Sequence, residues 1–298
     1  MILTKKYLHL ELSKASLVKS KTIFALTSLI ILSCYPAKTV IDFTPEGSFT
    51  NGIEGPATDF EGNIYAVNFE EEGTIGRVTP EGKSSIFIKL PNGSIGNGIR
   101  FGEKYQMFIA DFTNHNILEI DLRTKKLTVF AHETNANQPN DITVLRKNIV
   151  FASDPKWSDS TGQLWKITKE KGFELLEKNM GTTNGIEVNP EGTKLYVNES
   201  IQRKIWVYDI TENGNIQNKK LFYAFEDFGL DGMRTDKKGV LYVCRYGKGT
   251  LVLISPRGKF IKEIPLKGKK PSNLTFSNDF KRCFVTLADR GAIEVIDL

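Results

Sequence analysis

Histidine and cysteine are scarce, three of each in 298 residues. Cys34, Cys244 and Cys283 lie far apart, without the paired spacing of a zinc site. Cys244 and Cys283 fall in separate strand-like runs and are expected to be two half-buried thiols rather than a disulfide. No G-x-S-x-G elbow and no H-E-x-x-H helix is present, so the familiar serine-hydrolase and zinc-protease constellations are excluded. The segment "GKGT" at 247–250 lacks the prelude of a phosphate-binding loop and reads as a hairpin turn. No convincing long helix pattern occurs anywhere.

Clustered positive charge is also missing. The formal net charge is +5, but residues 1–33 hold Lys5, Lys6, Lys14, Lys19 and Lys21 against Glu11, a net of +4, and leave +1 for everything else. A nearly neutral body without a basic tract offers no footprint for nucleic acid, which is excluded as a partner. The basic segment is followed by the apolar run "TIFALTSLIILS" and Cys34. Twelve residues fall short of the roughly twenty that a membrane-spanning helix needs. The arrangement is that of a bacterial lipoprotein signal, with residues 1–33 removed and lipid on Cys34. The expectation is a protein of the bacterial cell envelope, outside the cytoplasm, touching membrane only through that lipid or anchor. Residues 34–298 then form a single domain.

What the chain has in abundance is repetition. A small polar residue followed by apolar alternation recurs as "EGPATDF" at 54, "NGIRFG" at 97, "NDITVL" at 140, "NGIEVN" at 184, "DGMRTD" at 231 and "SNLTFS" at 272, at intervals of 41 to 47 residues. Each repeat offers three further strand-like runs rich in Tyr, Val, Ile, Leu and Phe, punctuated by glycine turns such as "PEGK" and "PEGT". Six four-stranded units at this period predict an all-β six-bladed propeller. The last repeat is one strand short, whereas "KTVIDF" at 38–43 belongs to no complete unit. That segment is expected to close the ring as the outermost strand of the sixth blade.

The first strand of each propeller blade lines the central channel. Glu54, Asn97, Asn140, Asn184, Asp231 and Ser272 should therefore face one axis. All carry oxygen donors, which suits a hard divalent cation and above all calcium. Asn97 and Ser272 are better explained as turn formers, since nothing separates them from turn chemistry. Glutamate has no such preference, and Glu54 shares its column with Asp231.

The segments "EGPATDFEGNIY", "PNDITV", "NGIEVNPEGTKLYV" and "DGMRTDKKGVLYV" resemble the signature segments of the senescence-marker protein, gluconolactonase and luciferin-regenerating enzyme family, over roughly residues 50–290. The resemblance implies calcium or another divalent ion held by Glu54, Asn184 and Asp231, with Asn140 contacting substrate or completing the metal shell. Two departures stand out. "VNES" at 197–200 replaces the family's usual ending of that strand, and Gln138 and Pro139 flank Asn140 without the arginine that sugar-lactone members place there.

A lactone or ester carbonyl held at such a cation would be polarised and a water acidified. Asp231 is the first candidate for proton acceptor, the opposing view being that it is only a ligand; His115 in "DFTNHN" is the other candidate, or a substrate contact, or a solvent-exposed loop residue. The loop "SDPKWSDSTG", with Asp154 and Trp157, is expected to wall a substrate pocket, while Trp165 and Trp206 belong to blade cores. The expected activity is metal-dependent hydrolysis of lactones or related esters. The alternatives are a non-catalytic sensor-type propeller of NHL kind, binding an ion or a partner, and a strictosidine-synthase-like fold with different chemistry.

Overall fold

Runs such as "KLYV" and "KIWVY" carry the β-branched and aromatic side chains that suit a pleated surface. In the computed structural model, which describes residues 39–103 and 105–298, they form six four-stranded antiparallel sheets. The expected signal segment and Cys34 lie outside the described residues. In the first five sheets the strands follow chain order from the axis outward. Their first strands are Ala57–Thr58, Gly96–Phe101, Ile142–Leu145, Thr183–Val188 and Met233–Thr235, and that of the sixth is Pro271–Phe276. These first strands touch one another in cyclic order, the sixth meeting the first.

The ring closes as the repeat count demands. Val40–Asp42 pairs antiparallel with Ala292–Asp297, Val40 opposite Ile296, and completes the sixth blade. Arg290 fastens this clasp, its Nη1 lying 2.6 Å from Asp42 and 2.7 Å from the buried Glu294. Hydrogen bonds from Arg290 and Lys267 hold the Asp42 carboxyl down at about 2.

Each blade packs on both faces against its neighbours, so second strands such as Ile64–Val67 and Leu241–Arg245 are buried throughout. They read as continuous apolar runs rather than alternations for that reason. Outer strands such as Ile216–Ala224 are mostly exposed. Tyr242, Cys244, Leu251, Leu274, Cys283 and Val285 share one core cluster between the fifth and sixth blades. Both cysteines there are fully buried thiols rather than a disulfide. Among the described residues no helix is long and apolar enough to cross a membrane.

Candidate metal centre

Six side chains separated by some forty residues apiece meet because each stands at the start of a first strand. Glu54, Asn97, Asn140, Asn184, Asp231 and Ser272 all line one cavity of about 340 Å³ on the axis. At four of the six strand starts the residue after the ring position is glycine, and the close approach of the next blade requires it. A Cβ on Gly185 would stand 2.4 Å from the Asp231 carbonyl oxygen, and one on Gly232 would stand 2.0 Å from Cγ of Asn273. Backbone bonds fix the spacing, Gly98 N–H donating to the Asn140 carbonyl at 2.9 Å and Gly232 N–H to that of Ser272 at 2.7 Å.

Glu54 and Asp231 are both buried at the cavity wall, near enough that the charge of Glu54 disfavours ionisation of Asp231. Glu54 accepts bonds at Oε2 from Gly55 N–H at 2.6 Å and from Asn273 Nδ2 at 3.0 Å. Burial first, and then the charge of Asp141, push its carboxyl up to about 7 despite those donors. Burial and the neighbouring Glu54 raise Asp231 well above the ordinary carboxylate range, against a lowering bond from Asn184. A carboxyl pair this dry cannot hold two negative charges unaided, so without a cation it shares a proton.

The amides complete the donor set. The side-chain oxygen of Asn140 and the side-chain nitrogen of Asn97 are buried without a hydrogen-bond partner. A buried amide oxygen left unpaired is costly, and beside two carboxylates it fits a hard cation that takes six or more oxygens. Among the described residues no three of His, Cys, Asp and Glu gather into a metal-holding group. Two carboxylates and amide oxygens are what the ring offers, which disfavours zinc and copper. Ser272 lines the wall, but its hydroxyl is engaged with the Ile53 carbonyl at 2.8 Å and with Thr286, so its visible work is to tie the sixth blade to the first.

The walls were only partly foreseen. Trp157 borders the cavity as expected, 41 % exposed, together with Tyr246, Ser200, Ile53 and Ala288. His115 does not line it. That residue is half-buried in the turn after Gln106–Asp111, at φ +56°, and the turn carries it away from the axis. The loop expected around Asp154 and Trp157 is much shorter than the sequence suggested. Ile149–Lys156 and Thr161–Thr168 are strands, joined by a single 3-10 turn over Trp157–Asp159. Asp154 is drawn into the blade, where it accepts the Trp165 indole N–H at 2.7 Å and the Gln138 N–H at 2.6 Å. Asn198, from the departing "VNES" segment, donates to the Asp231 carbonyl at 2.6 Å and so holds that strand start in place.

A second layer lies further along the channel and was not anticipated. Arg100 Nη2 stands 3.3 Å from Asp141 Oδ1, and Arg234 Nη1 stands 3.3 Å from the other Asp141 oxygen. Arg100 also approaches Glu187 at 3.7 Å. Arg100, Glu187 and Arg234 border a separate cavity of about 470 Å³ among the turns that join first and second strands. They sit three residues after Asn97, Asn184 and Asp231, the spacing that would have revealed them as a layer.

A six-bladed propeller with an oxygen-lined, acid-bearing cavity on its axis is the class that fold and site define together. The model of the SMP-30/Gluconolactonase/LRE-like region matches residues 54–289, and the chain belongs to that family. It is 26% identical to a protein named gluconolactonase from Zymomonas mobilis, over 78% of this chain and 75% of that one. It is likewise 26% identical to diisopropyl-fluorophosphatase from Loligo vulgaris, over 81% and 87%. A solved structure of a calcium-binding protein, regucalcin from Agrobacterium tumefaciens, superposes with a TM-score of 0.76 at 18% identity, covering 87% of this chain and 94% of that one. At that identity the superposition speaks for the fold alone.

Proposed function

We propose that the chain hydrolyses lactones or related esters in the axial cavity, using one divalent cation, calcium before others, held by Glu54, Asn184 and Asp231 with Asn140 beside them. The observation that carries this reading is the buried Glu54–Asp231 pair next to an orphaned Asn140 oxygen, an arrangement whose cost a bound cation would offset. The names of the relatives point the same way.

When bound, the cation would polarise a substrate carbonyl and acidify a water. Glu54 and Asn184 supply anchoring oxygens. Asn140, at the cavity wall, orients the carbonyl or contributes a further ligand. Asp231 accepts the proton of the attacking water as the new carbon–oxygen bond forms, and returns it to the alkoxide oxygen when the ring or ester bond breaks. Its burial favours that role, because a desolvated carboxylate is a stronger base. Trp157 covers the mouth and limits water. With His115 off the wall, Asp231 is the sole acceptor proposed.

The test is a panel of γ- and δ-lactones, aryl esters and phosphotriesters, assayed with calcium and with chelator. Wild type should hydrolyse at least one class only with the cation, and Asp231→Ala should lose about 10²- to 10⁴-fold in kcat. Cation binding with no hydrolysis of any class would leave the sensor-type propeller as the better reading.

A further inference from the structure

The rim of the axial cavity is chemically one-sided. Trp157, Ile201 and Tyr246 occupy the turns between second and third strands of blades three, four and five, and Phe228 lies in the connection entering blade five. These large apolar side chains are 36 to 48 % exposed, and they share the face on which the first strands begin. Along this crescent, Trp157 and Tyr246 line the cavity itself, and the segments holding Ile201 and Phe228 adjoin them through neighbouring residues. Gln202, next to Ile201, donates to the Ser160 carbonyl of the Trp157 turn at 3.0 Å. The connection holding Phe228 passes Ser200 at Gly229, and Phe228 itself packs 3.3 Å from the Cβ position of Gly247, beside Tyr246.

The other half of the mouth differs. The corresponding turn of blade one exposes Glu70, Glu71 and Glu72, of which Glu71 is ion-paired with Lys89. No lysine or arginine is among the residues lining the cavity. The Lys270 ammonium lies 5.8 Å from the Tyr246 ring and does not line it.

Resting on the hydrolase reading above, we propose that this crescent is a substrate-tail subsite and that the preferred substrate is an uncharged lactone or ester bearing an alkyl or aryl substituent, not a sugar lactone or sugar acid. Exposed aromatic and aliphatic side chains gain from covering an apolar tail. A hydroxyl-bearing substituent lying on the crescent would be stripped of water there without enough partners. An anionic tail on the rim would find no lysine or arginine among the residues lining the cavity. A cavity of about 340 Å³ is at the low end for small-molecule sites, which suits a small reacting ring inside and its substituent on the rim.

The experiment compares kcat/KM for δ-valerolactone, δ-decalactone and glucono-δ-lactone with the calcium-loaded full chain. Each methylene buried on the rim should contribute about three- to fourfold, so δ-decalactone should exceed δ-valerolactone by tenfold or more, with glucono-δ-lactone the poorest. Trp157→Ala and Ile201→Ser should each reduce the decalactone-to-valerolactone ratio, the former by about tenfold. A preference for glucono-δ-lactone, an unchanged ratio in both variants, or faster turnover of a carboxylate-tailed analogue would overturn the inference while leaving the hydrolase reading intact. If no lactone, aryl ester or phosphotriester is hydrolysed, the hydrolase reading fails. The subsite is then decided by binding, as a saturable change in tryptophan fluorescence with δ-decalactone that disappears in Trp157→Phe. Absence of that change overturns it too.

Discussion

Replacing Glu54 with glutamine should make the cation-free protein more stable and abolish its response to calcium. In the unfolded chain this carboxyl ionises near 4.5, whereas the native protein keeps it protonated to about 7. Between those values the native state binds more protons than the unfolded one, so stability falls as pH rises through the window and stays low above it. The difference corresponds to roughly 3 kcal/mol at pH 8. Glutamine is isosteric, can still accept from Gly55 and Asn273, and relieves Asp231 of a neighbouring charge. The assay is thermal and urea unfolding in chelator from pH 5 to 8.5, repeated in excess calcium. Wild type in chelator should weaken as pH rises, while Glu54→Gln, left with the buried Asp231 alone, weakens less and melts roughly 5–10 °C higher at pH 8. Calcium at about a hundred times its Kd should restore wild type by about 2.7 kcal/mol and leave the variant unmoved. The reasoning is refuted if wild type in chelator is equally stable at pH 5 and pH 8, or if both proteins respond to calcium alike.

Other perturbations reach the site through its neighbours. Gly232→Ala should drive Asn273 off Glu54, because its Cβ would fall 2.0 Å from Cγ of Asn273. A cost of about 1–3 kcal/mol in urea titration and weaker calcium binding should appear together. Asn198→Ala removes the 2.6 Å bond to the Asp231 carbonyl and should cost about 1–3 kcal/mol, with kcat falling more than KM rises. Arg234→Met deprives the buried Asp141 of one of its two arginines and should destabilise by about 3 kcal/mol or more, read as a lower urea midpoint.

The architecture was legible because repetition survives in a single sequence. The column from Glu54 to Ser272 marks the strand starts, and the unmatched "KTVIDF" segment announces the closing strand. Convergence of the column on one cavity follows from that register alone. The second layer was hidden because Arg100, Glu187 and Arg234 look like ordinary polar positions of alternating strands. Their shared offset of three from the ring residues was the one signal in the sequence, and burial along the axis makes it visible. Asp141 and Asn273 were hidden for a related reason. Four repeats have glycine after the ring residue, and these two side chains fill the room left by Gly98 and Gly232 next door, a relation between blades that no single repeat displays. His115 misled because knowing which face a turn occupies does not fix its distance from the axis. Trp157, argued from the same face, does border the cavity.

The central claim is that Glu54, Asn184 and Asp231 grip one divalent ion at the expense of a shared proton. Calorimetric titration with calcium at pH 7, in two buffers of different ionisation heat, measures both quantities at once. The account predicts one ion per chain, release of about one proton, and no saturable heat for Glu54→Gln or Asp231→Asn. Saturable binding unaltered by those substitutions, or no binding by wild type, would contradict it.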